Sequence, residues 1–419
     1  MHFHYRQNQL CAEELPLQNI AQAYGTPCYV YSRAAIENHW QALDKAFGDH
    51  PHLICYAVKA NSNLAVLNLL AKLGSGFDIV SGGELHRVLV AGGDPNKVVF
   101  SGVAKSEADI EMALTCGNNG VRCLNIESLP ELERIQRVAE KLGRNANIGI
   151  RVNPDVDART HPYIATGLES SKFGLNIESA ITAYKRALSM SHIRIHSMAC
   201  HIGSQITELA PFADAVERVA QLVLRLQALG IELQQLDLGG GLGIDYAGEV
   251  VPSAASYVDN LLAVLSKHGV NLPVAIEPGR SIIGTAGVLL TKVEYLKETP
   301  NKSFAVIDAG MNDLLRPSLY QAFHKIKPVL ERNSPKKSWD VVGPVCESAD
   351  VLGQARELAL QEGDLLSIMS AGAYAFTMAS NYNSRPRPPE VLVDGDQHFL
   401  IRQRETLDEL VKGEQIIPA

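Results

Sequence analysis

A chain of 419 residues with a 46% apolar fraction is long enough for two large units, each with a full core. Its net charge of −8 leaves no basic footprint for nucleic acid or an acidic membrane, and no apolar run approaches the ~20 residues of a spanning helix. Seven cysteines without a CxxC pair point to a reducing cytoplasm, and the start Met1-His2-Phe3-His4-Tyr5-Arg6 lacks the apolar stretch and cleavage site of a signal peptide.

Residues 1–30 read as irregular, with Tyr29-Val30-Tyr31 the one strand-like piece before Ser32, which suits a helix cap. The apolar run 53–58 reads as a buried strand and ends abruptly in Lys59. Asn61, Ser62 and Asn63 then offer N-caps for a helix whose stripe begins at Leu64, Leu67 and Leu70. Similar strand-like runs recur at 76–80, 98–101, 121–125, 148–152, 193–201, 236–239 and 274–277. Helical patterns over 64–73, 84–91, 106–116, 129–142, 177–190, 211–229 and 253–268 lie between them. Counting the first run, about eight strand–helix steps result, the number that closes a (β/α)8 barrel of the triosephosphate-isomerase kind. A doubly wound open sheet is the rival, and an unbroken series of eight favours closure. After about residue 285 the rhythm turns β-rich, with runs at 288–296, 304–308, 339–342, 364–369, 390–393 and 398–402. Turns at Gly343-Pro344, Glu362-Gly363-Asp364 and Asp394-Gly395-Asp396 punctuate them. The expected architecture is α/β: a barrel over 35–285, then a second, mostly β domain over 286–419.

In a barrel the carboxyl ends of the strands carry the chemistry. Here those ends offer Lys59, Asp78, Ser101-Gly102, Asn125, Arg151 with Asn153, His201 with Ser204, Gly239-Gly240-Gly241, and Glu277 with Arg280. A lysine among apolar neighbours is poorly hydrated, which favours the neutral amine able to attack a carbonyl. A surface lysine closing a strand is the ordinary alternative. Gly239-Gly240-Gly241-Leu242-Gly243 leaves main-chain amides free to approach a phosphate. It does not fit GxGxxG, since position 246 is Tyr, so a dinucleotide reading is poor. An ordinary glycine-rich turn is its alternative, and a structural ion pair is the alternative for Glu277-Pro278-Gly279-Arg280. His196 lies five positions before His201, on the opposite face of a strand, so the two do not form a metal pair. Alternation also turns Cys200 away from His201, as a buried filler. His2 and His4 read as solvated terminus. Amine, phosphate-binding glycines, a flat-ring neighbour in His201 and a carboxylate in Glu277 are together the needs of pyridoxal phosphate. A Schiff-base barrel of the aldolase type is the runner-up.

In the β-rich part, Arg316 and Tyr320 stand four residues apart and would share a helix face. Gly343-Pro344-Val345-Cys346-Glu347-Ser348 sets a cysteine beside a carboxylate just after a strand and a turn. Residues 371–388, with Tyr374 and Asn381-Tyr382-Asn383-Ser384-Arg385-Pro386-Arg387-Pro388, are polar and aromatic in a way that a core would not be.

These segments resemble the pyridoxal-phosphate decarboxylases with the alanine-racemase fold, over essentially the whole chain. The resemblance rests on residues 56–61, 201–204, 239–243, 277–280, 343–348 and 371–388, and on His161-Pro162-Tyr163-Ile164-Ala165-Thr166-Gly167 with Ser171-Lys172-Phe173-Gly174. It is strongest to the branch that converts meso-2,6-diaminopimelate to L-lysine and carbon dioxide, the last step of lysine biosynthesis. It implies that the N-terminal residues 1–34 join the β domain. Lys59 would hold the cofactor covalently, His201 would stack on its ring, and Glu277 would bind the pyridinium nitrogen. Ser204, Gly240, Gly241, Gly279, Arg280 and Tyr374 would surround the phosphate. Arg280, Arg316 and Tyr320, beside Tyr374, would hold the substrate's distal carboxylate, and Glu347 its distal ammonium. Cys346 would return a proton to Cα. Cys346 and Glu347 would come from the partner subunit of a homodimer with shared sites. A relative acting on lysine, ornithine or arginine is the alternative, although none of these substrates has a distal carboxylate to pair with Arg316. A non-catalytic carrier of the cofactor is a single barrel, and the second domain with Cys346 argues against it.

Overall fold

The computed structural model describes residues 2–157, 166 and 171–418. The chain divides into two compact units: 37–244 with 249–281, and 1–36 with 245–248 and 282–419.

In the first unit, among the described residues, eight parallel strands close into a barrel. In chain order they are His52–Ala57, Gly76–Ile79, Val98–Phe100, Cys123–Ile126, Ala146–Val152, Ile193–Cys200, Gln235–Asp237 and Val274–Ile276. Each pairs with the next, and Val274–Ile276 pairs with His52–Ala57 to shut the ring, with Ala275 opposite Leu53. The strand runs of the sequence are therefore all present, and closure wins over the open sheet. The reason lies in their composition: they are short, Val- and Ile-rich and buried on both faces, as parallel strands under a ring of helices must be.

Local chemistry sets the strand-to-helix turns. Asn63 caps the helix Leu64–Lys72 by accepting the Ala65 N–H. Ser81, Ser128, Asn176 and Ser253 cap later helices in the same way. Ser106 and Asp109 form a reciprocal capping box at Glu107–Thr115. The longest helix, Ala210–Ala228, has Pro211 in its first turn and buries Phe212, Val216, Val219, Val223 and Leu226. The strand Ile193–Cys200 carries a bulge between Ile195 and Ser197, so strict alternation does not run through His196.

The second unit is built on a sheet in the order Val351–Leu358, Lys337–Val342, Ser303–Ile307, Gly287–Glu298, Cys28–Ser32, Glu390–Asp394 and Gln397–Arg402. Leu365–Ile368 also pairs with Gly287–Glu298, and Ile326–Pro328 pairs with Leu365–Ile368. Ser32 starts the helix Arg33–Ala46 by accepting the Ala35 N–H at 3.1 Å.

Three parts of this unit differ from the sequence reading, one of them the three-residue strand Ile326–Pro328, too short to show a pattern. The N-terminal segment is regular from residue 3: Phe3–Arg6, Gln9–Ala12 and Leu15–Pro16 form a small sheet, followed by the helix Leu17–Tyr24. These strands are too short to show a period. Their turn is made by Gln7 and Asn8 at positive φ, without the glycine that would have announced it. Their side chains, Phe3, Leu10, Ala12, Leu17 and Ile20, pack with Cys28, Val288, Leu290 and Val391 in one core. The strand Val351–Leu358 is likewise absent from the pattern of the sequence. Ala355 sits in it at φ 50°, and its pairing with Lys337–Val342 shifts register twice, which breaks the alternation. No helix among the described residues is long and apolar enough to cross a membrane.

Candidate active site

The barrel rim is assembled by strand ends. His52–Ala57 runs into a single 3-10 turn, Val58–Ala60, which stops the lysine at its centre from continuing the strand. The Lys59 ammonium lies 2.9 Å from Oδ2 of Asp78, whose side chain is wholly buried at the end of the neighbouring strand. Asp78 Oδ1 has no hydrogen-bond partner among the described residues.

On the other side of the Lys59 strand, the last two strands of the ring bring two more buried acids, Asp237 and Glu277. Burial pushes the Glu277 carboxyl well above its ordinary value, with the charges of Asp237 and Asp78 adding to the effect. Asp237 is raised to about 6, again chiefly by burial, with the Gly239 N–H donating to its Oδ1 at 3.0 Å and restraining the rise. Both carboxyls are thus held above the ordinary carboxylate range, because each is dry and lies in the field of the other. Glu277 is legible in the sequence as a strand-end acid; Asp237 is not among the expected site residues. Its signal was present: an acid inside the apolar run Leu236-Asp237-Leu238 has to have a buried partner.

His201 ends the strand Ile193–Cys200. Its Nδ1 accepts the Gly240 N–H at 3.1 Å, which leaves the hydrogen on Nε2. Burial first, then the Arg151 and Lys59 charges, hold its pKa well below the ordinary value, so the ring is neutral. The next residue back, Cys200, is buried and its thiol is pushed up to about 12, which suits a filler. His196 is pushed down to about 4 by burial and the nearby Arg122.

The glycines of 239–243 have a packing reason as well as a ligand reason. A Cβ on Gly240 would lie 2.1 Å from the Glu277 carbonyl oxygen, and one on Gly241, at φ 110°, 2.5 Å from the Gly203 carbonyl oxygen. On Gly279 it would come within 2.9 Å of the Ala60 Cβ. Arg280 follows, buried, and donates to Ser204 Oγ at 3.0 Å. Of the motif at 161–174, His161 to Ala165 and Gly167 lie outside the described residues; Thr166 Oγ1 donates to the His201 carbonyl at 2.9 Å.

The remaining predicted residues belong to the other unit. Arg316 and Tyr320 open and close one short helix, Arg316–Tyr320, with Arg316 buried. Cys346 and Glu347 are exposed in a turn after Lys337–Val342. The Cys346 N–H donates to Asn383 Oδ1 at 2.8 Å, and Tyr382 is hydrogen-bonded to the Glu347 carboxylate. Tyr374 is half-buried, at φ 54°.

A closed parallel barrel presenting an amine, two buried acids and a neutral imidazole at its strand ends has the makings of a barrel enzyme that works through a carbonyl cofactor. Residues 33–284 match the family model of the pyridoxal-dependent decarboxylases, pyridoxal binding domain. The diaminopimelate decarboxylase of Vibrio cholerae is 56% identical over 418 residues, covering 100% of this chain and 99% of the relative. That of Pseudomonas aeruginosa is 55% identical and covers 99% of each. A crystal structure of the Helicobacter pylori diaminopimelate decarboxylase complexed with L-lysine superposes with a TM-score of 0.91 at 43% identity, over 94% of this chain and 98% of that one. The chain belongs to the pyridoxal-dependent decarboxylases, and within them to the diaminopimelate decarboxylase family.

The residues present fit pyridoxal phosphate. Lys59 would offer the amine, and the buried Glu277 would meet a ring nitrogen. The close backbone turns at Gly241 and Gly279 leave a cradle that side chains would fill.

Proposed function

We propose that this chain removes carbon dioxide from one end of meso-2,6-diaminopimelate and releases L-lysine. The observation that carries the reading is the Lys59 amine at the end of the first barrel strand, held 2.9 Å from the buried Asp78. Bound through that amine, pyridoxal phosphate supplies an electron-withdrawing ring that accepts the electron pair freed when the Cα–carboxylate bond breaks.

The chain's own groups do the rest. Glu277 is dry and raised by burial and by the charges of Asp237 and Asp78; beside a pyridinium N–H it would be the carboxylate that pairs with that cation and keeps the ring protonated. His201, neutral and fixed by the Gly240 N–H, offers a flat face without adding charge. Ser204, Gly240, Gly241, Gly279, Arg280 and Tyr374 hold the phosphate. Arg280, Arg316 and Tyr320, with Tyr374, hold the distal carboxylate of the substrate, and Glu347 takes its distal ammonium. A substrate that ends in a second amino-acid head needs a cation and an anion together, and Arg316 with Glu347 provides that pair. The Cys346 thiol returns the proton to Cα after carbon dioxide departs. The working form is a cytoplasmic homodimer in which Cys346 and Glu347 of each chain serve the partner's site.

Two experiments test this. Borohydride treatment of the holoenzyme should fix the cofactor to a peptide spanning residues 56–61; label on another lysine, such as Lys172, would overturn the Lys59 assignment. Supplied with meso-diaminopimelate, L-lysine and L-ornithine side by side, the enzyme should release carbon dioxide from the first alone. Diamine formation from lysine or ornithine at a comparable rate would move the reading to a decarboxylase of the simpler basic amino acids.

A further inference from the structure

Arg316 is set in a closed arrangement of buried groups that none of the assignments above uses. Its Nη1 donates to His324 Nε2 at 2.9 Å, and the other ring nitrogen of His324, Nδ1, lies 2.8 Å from the Met369 carbonyl oxygen. A carbonyl only accepts and a guanidinium only donates, so both bonds hold together in one form of the ring alone: neutral, with the hydrogen on Nδ1. The Tyr246 ring lies under the guanidinium, 4.7 Å from its carbon to the ring centroid, and meets His324 edge-on at 5.2 Å. His324 is fully buried and Tyr246 is 8% exposed. Two of the guanidinium's constraints are therefore fixed by packing: one donor directed to an imidazole, one face laid on an aromatic ring.

We propose that His324 and Tyr246 are positioning residues that hold Arg316 for the distal carboxylate of the substrate, and so set the preference for a substrate that ends in a carboxylate. This rests on the role of Arg316 given above. The acceptor at His324 Nε2 fixes the plane of the guanidinium, and a planar fork matches a carboxylate only in the right plane.

The test uses the holoenzyme with two ligands of equal chain length. L-lysine, the product, keeps the distal carboxylate; 1,5-diaminopentane has none. His324→Asn places its amide near the Nδ1 position and so keeps a donor for Met369 while withdrawing the acceptor from Arg316. His324→Gln reaches to the Nε2 position and restores an acceptor there. The Asn variant should weaken L-lysine binding and raise the KM for diaminopimelate by about ten-fold, the size expected for one hydrogen bond to a charged group. Its kcat and its affinity for 1,5-diaminopentane should stay near wild type, and the Gln variant should recover most of the loss. Equal weakening of both ligands would mean a structural role and would overturn the proposal, as would unchanged L-lysine binding. Tyr246→Leu gives the same ligand contrast should the Asn variant fail to fold. Arg316→Leu separates the two layers: if it binds L-lysine as wild type does, the carboxylate role of Arg316 falls and this inference with it. If it binds L-lysine poorly while His324→Asn does not, the positioning role alone falls.

Discussion

At the scale of single residues, the site depends on places where a side chain is forbidden as much as on those where one is required. Gly240 illustrates the first. Its Cβ would sit 2.1 Å from the Glu277 carbonyl oxygen, a backbone atom that cannot swing aside. Gly240→Ala should therefore lower stability by about 1–3 kcal/mol, as overpacking does, and displace Glu277 with it. Denaturant unfolding with a parallel titration of pyridoxal phosphate would show both effects. Gly143 at φ 61° has open space around its Cβ position, and Gly143→Ala should cost less and leave cofactor affinity unchanged. If the two variants behaved alike, the close approach at Gly240 would not be what requires glycine. Arg316 illustrates the second kind. Arg316→Leu should raise the KM for diaminopimelate about 10- to 100-fold, equivalent to roughly 1.5–3 kcal/mol for a charged hydrogen bond, with cofactor binding retained. Unchanged turnover at low substrate would refute its carboxylate role.

At the scale of elements, the loop 381–387 shows how a distant acid can hold a functional turn. Glu405 accepts from Asn381 Nδ2 at 2.6 Å, from the Arg387 N–H at 2.9 Å and from Arg387 Nε at 2.7 Å. The same loop carries Asn383, which accepts the Cys346 N–H. Partial burial alone would raise the Glu405 pKa; the Arg387 and Asn381 bonds outweigh it and lower it from 4.5 to about 2. A carboxylate with a depressed folded pKa stabilises the fold above its unfolded value and loses that contribution as pH falls through the folded one. Wild type should therefore exceed Glu405→Gln in stability at pH 5, and the gap should close between about pH 4.5 and 2. Urea midpoints across that range measure it. A gap that does not change with pH would mean that the ionised form of Glu405 is not the anchor.

At the scale of the whole molecule, the proposed dimer makes a quantitative claim. Lys59→Ala and Cys346→Ala should each abolish activity. If subunits then exchange at random, half of the dimers are mixed, and each mixed dimer holds one site lacking both residues and one lacking neither. About a quarter of wild-type activity should return. Were each chain to build its own site, every site in the mixture would lack one residue. No activity would then return, even with exchange demonstrated by a tagged subunit.

Much of this protein is readable along the chain, because its signals are local. The eight barrel strands are apolar runs punctuated by caps, and a parallel strand buried on both faces cannot hide that composition. Lys59, His201, Glu277 and Arg280 announce themselves by closing such runs. The N-terminal sheet and the strand Val351–Leu358 do not, since their order comes from partners far away in sequence: Leu10 donates to the Val329 carbonyl, and Val351–Leu358 follows Lys337–Val342 through two register shifts. The same holds within the site. That Lys59 is an amine follows from the sequence, but its pairing with Asp78 needs two neighbouring strands in register. Glu277 is an acid in any conformation, and only the closed barrel, by burying it and setting Asp237 and Asp78 near it, raises its pKa well above the ordinary value. Composition and pattern determine which groups the chain carries and on which elements. Tertiary structure decides which of them meet in a dry space, and charge, tautomer and proton occupancy depend on that meeting.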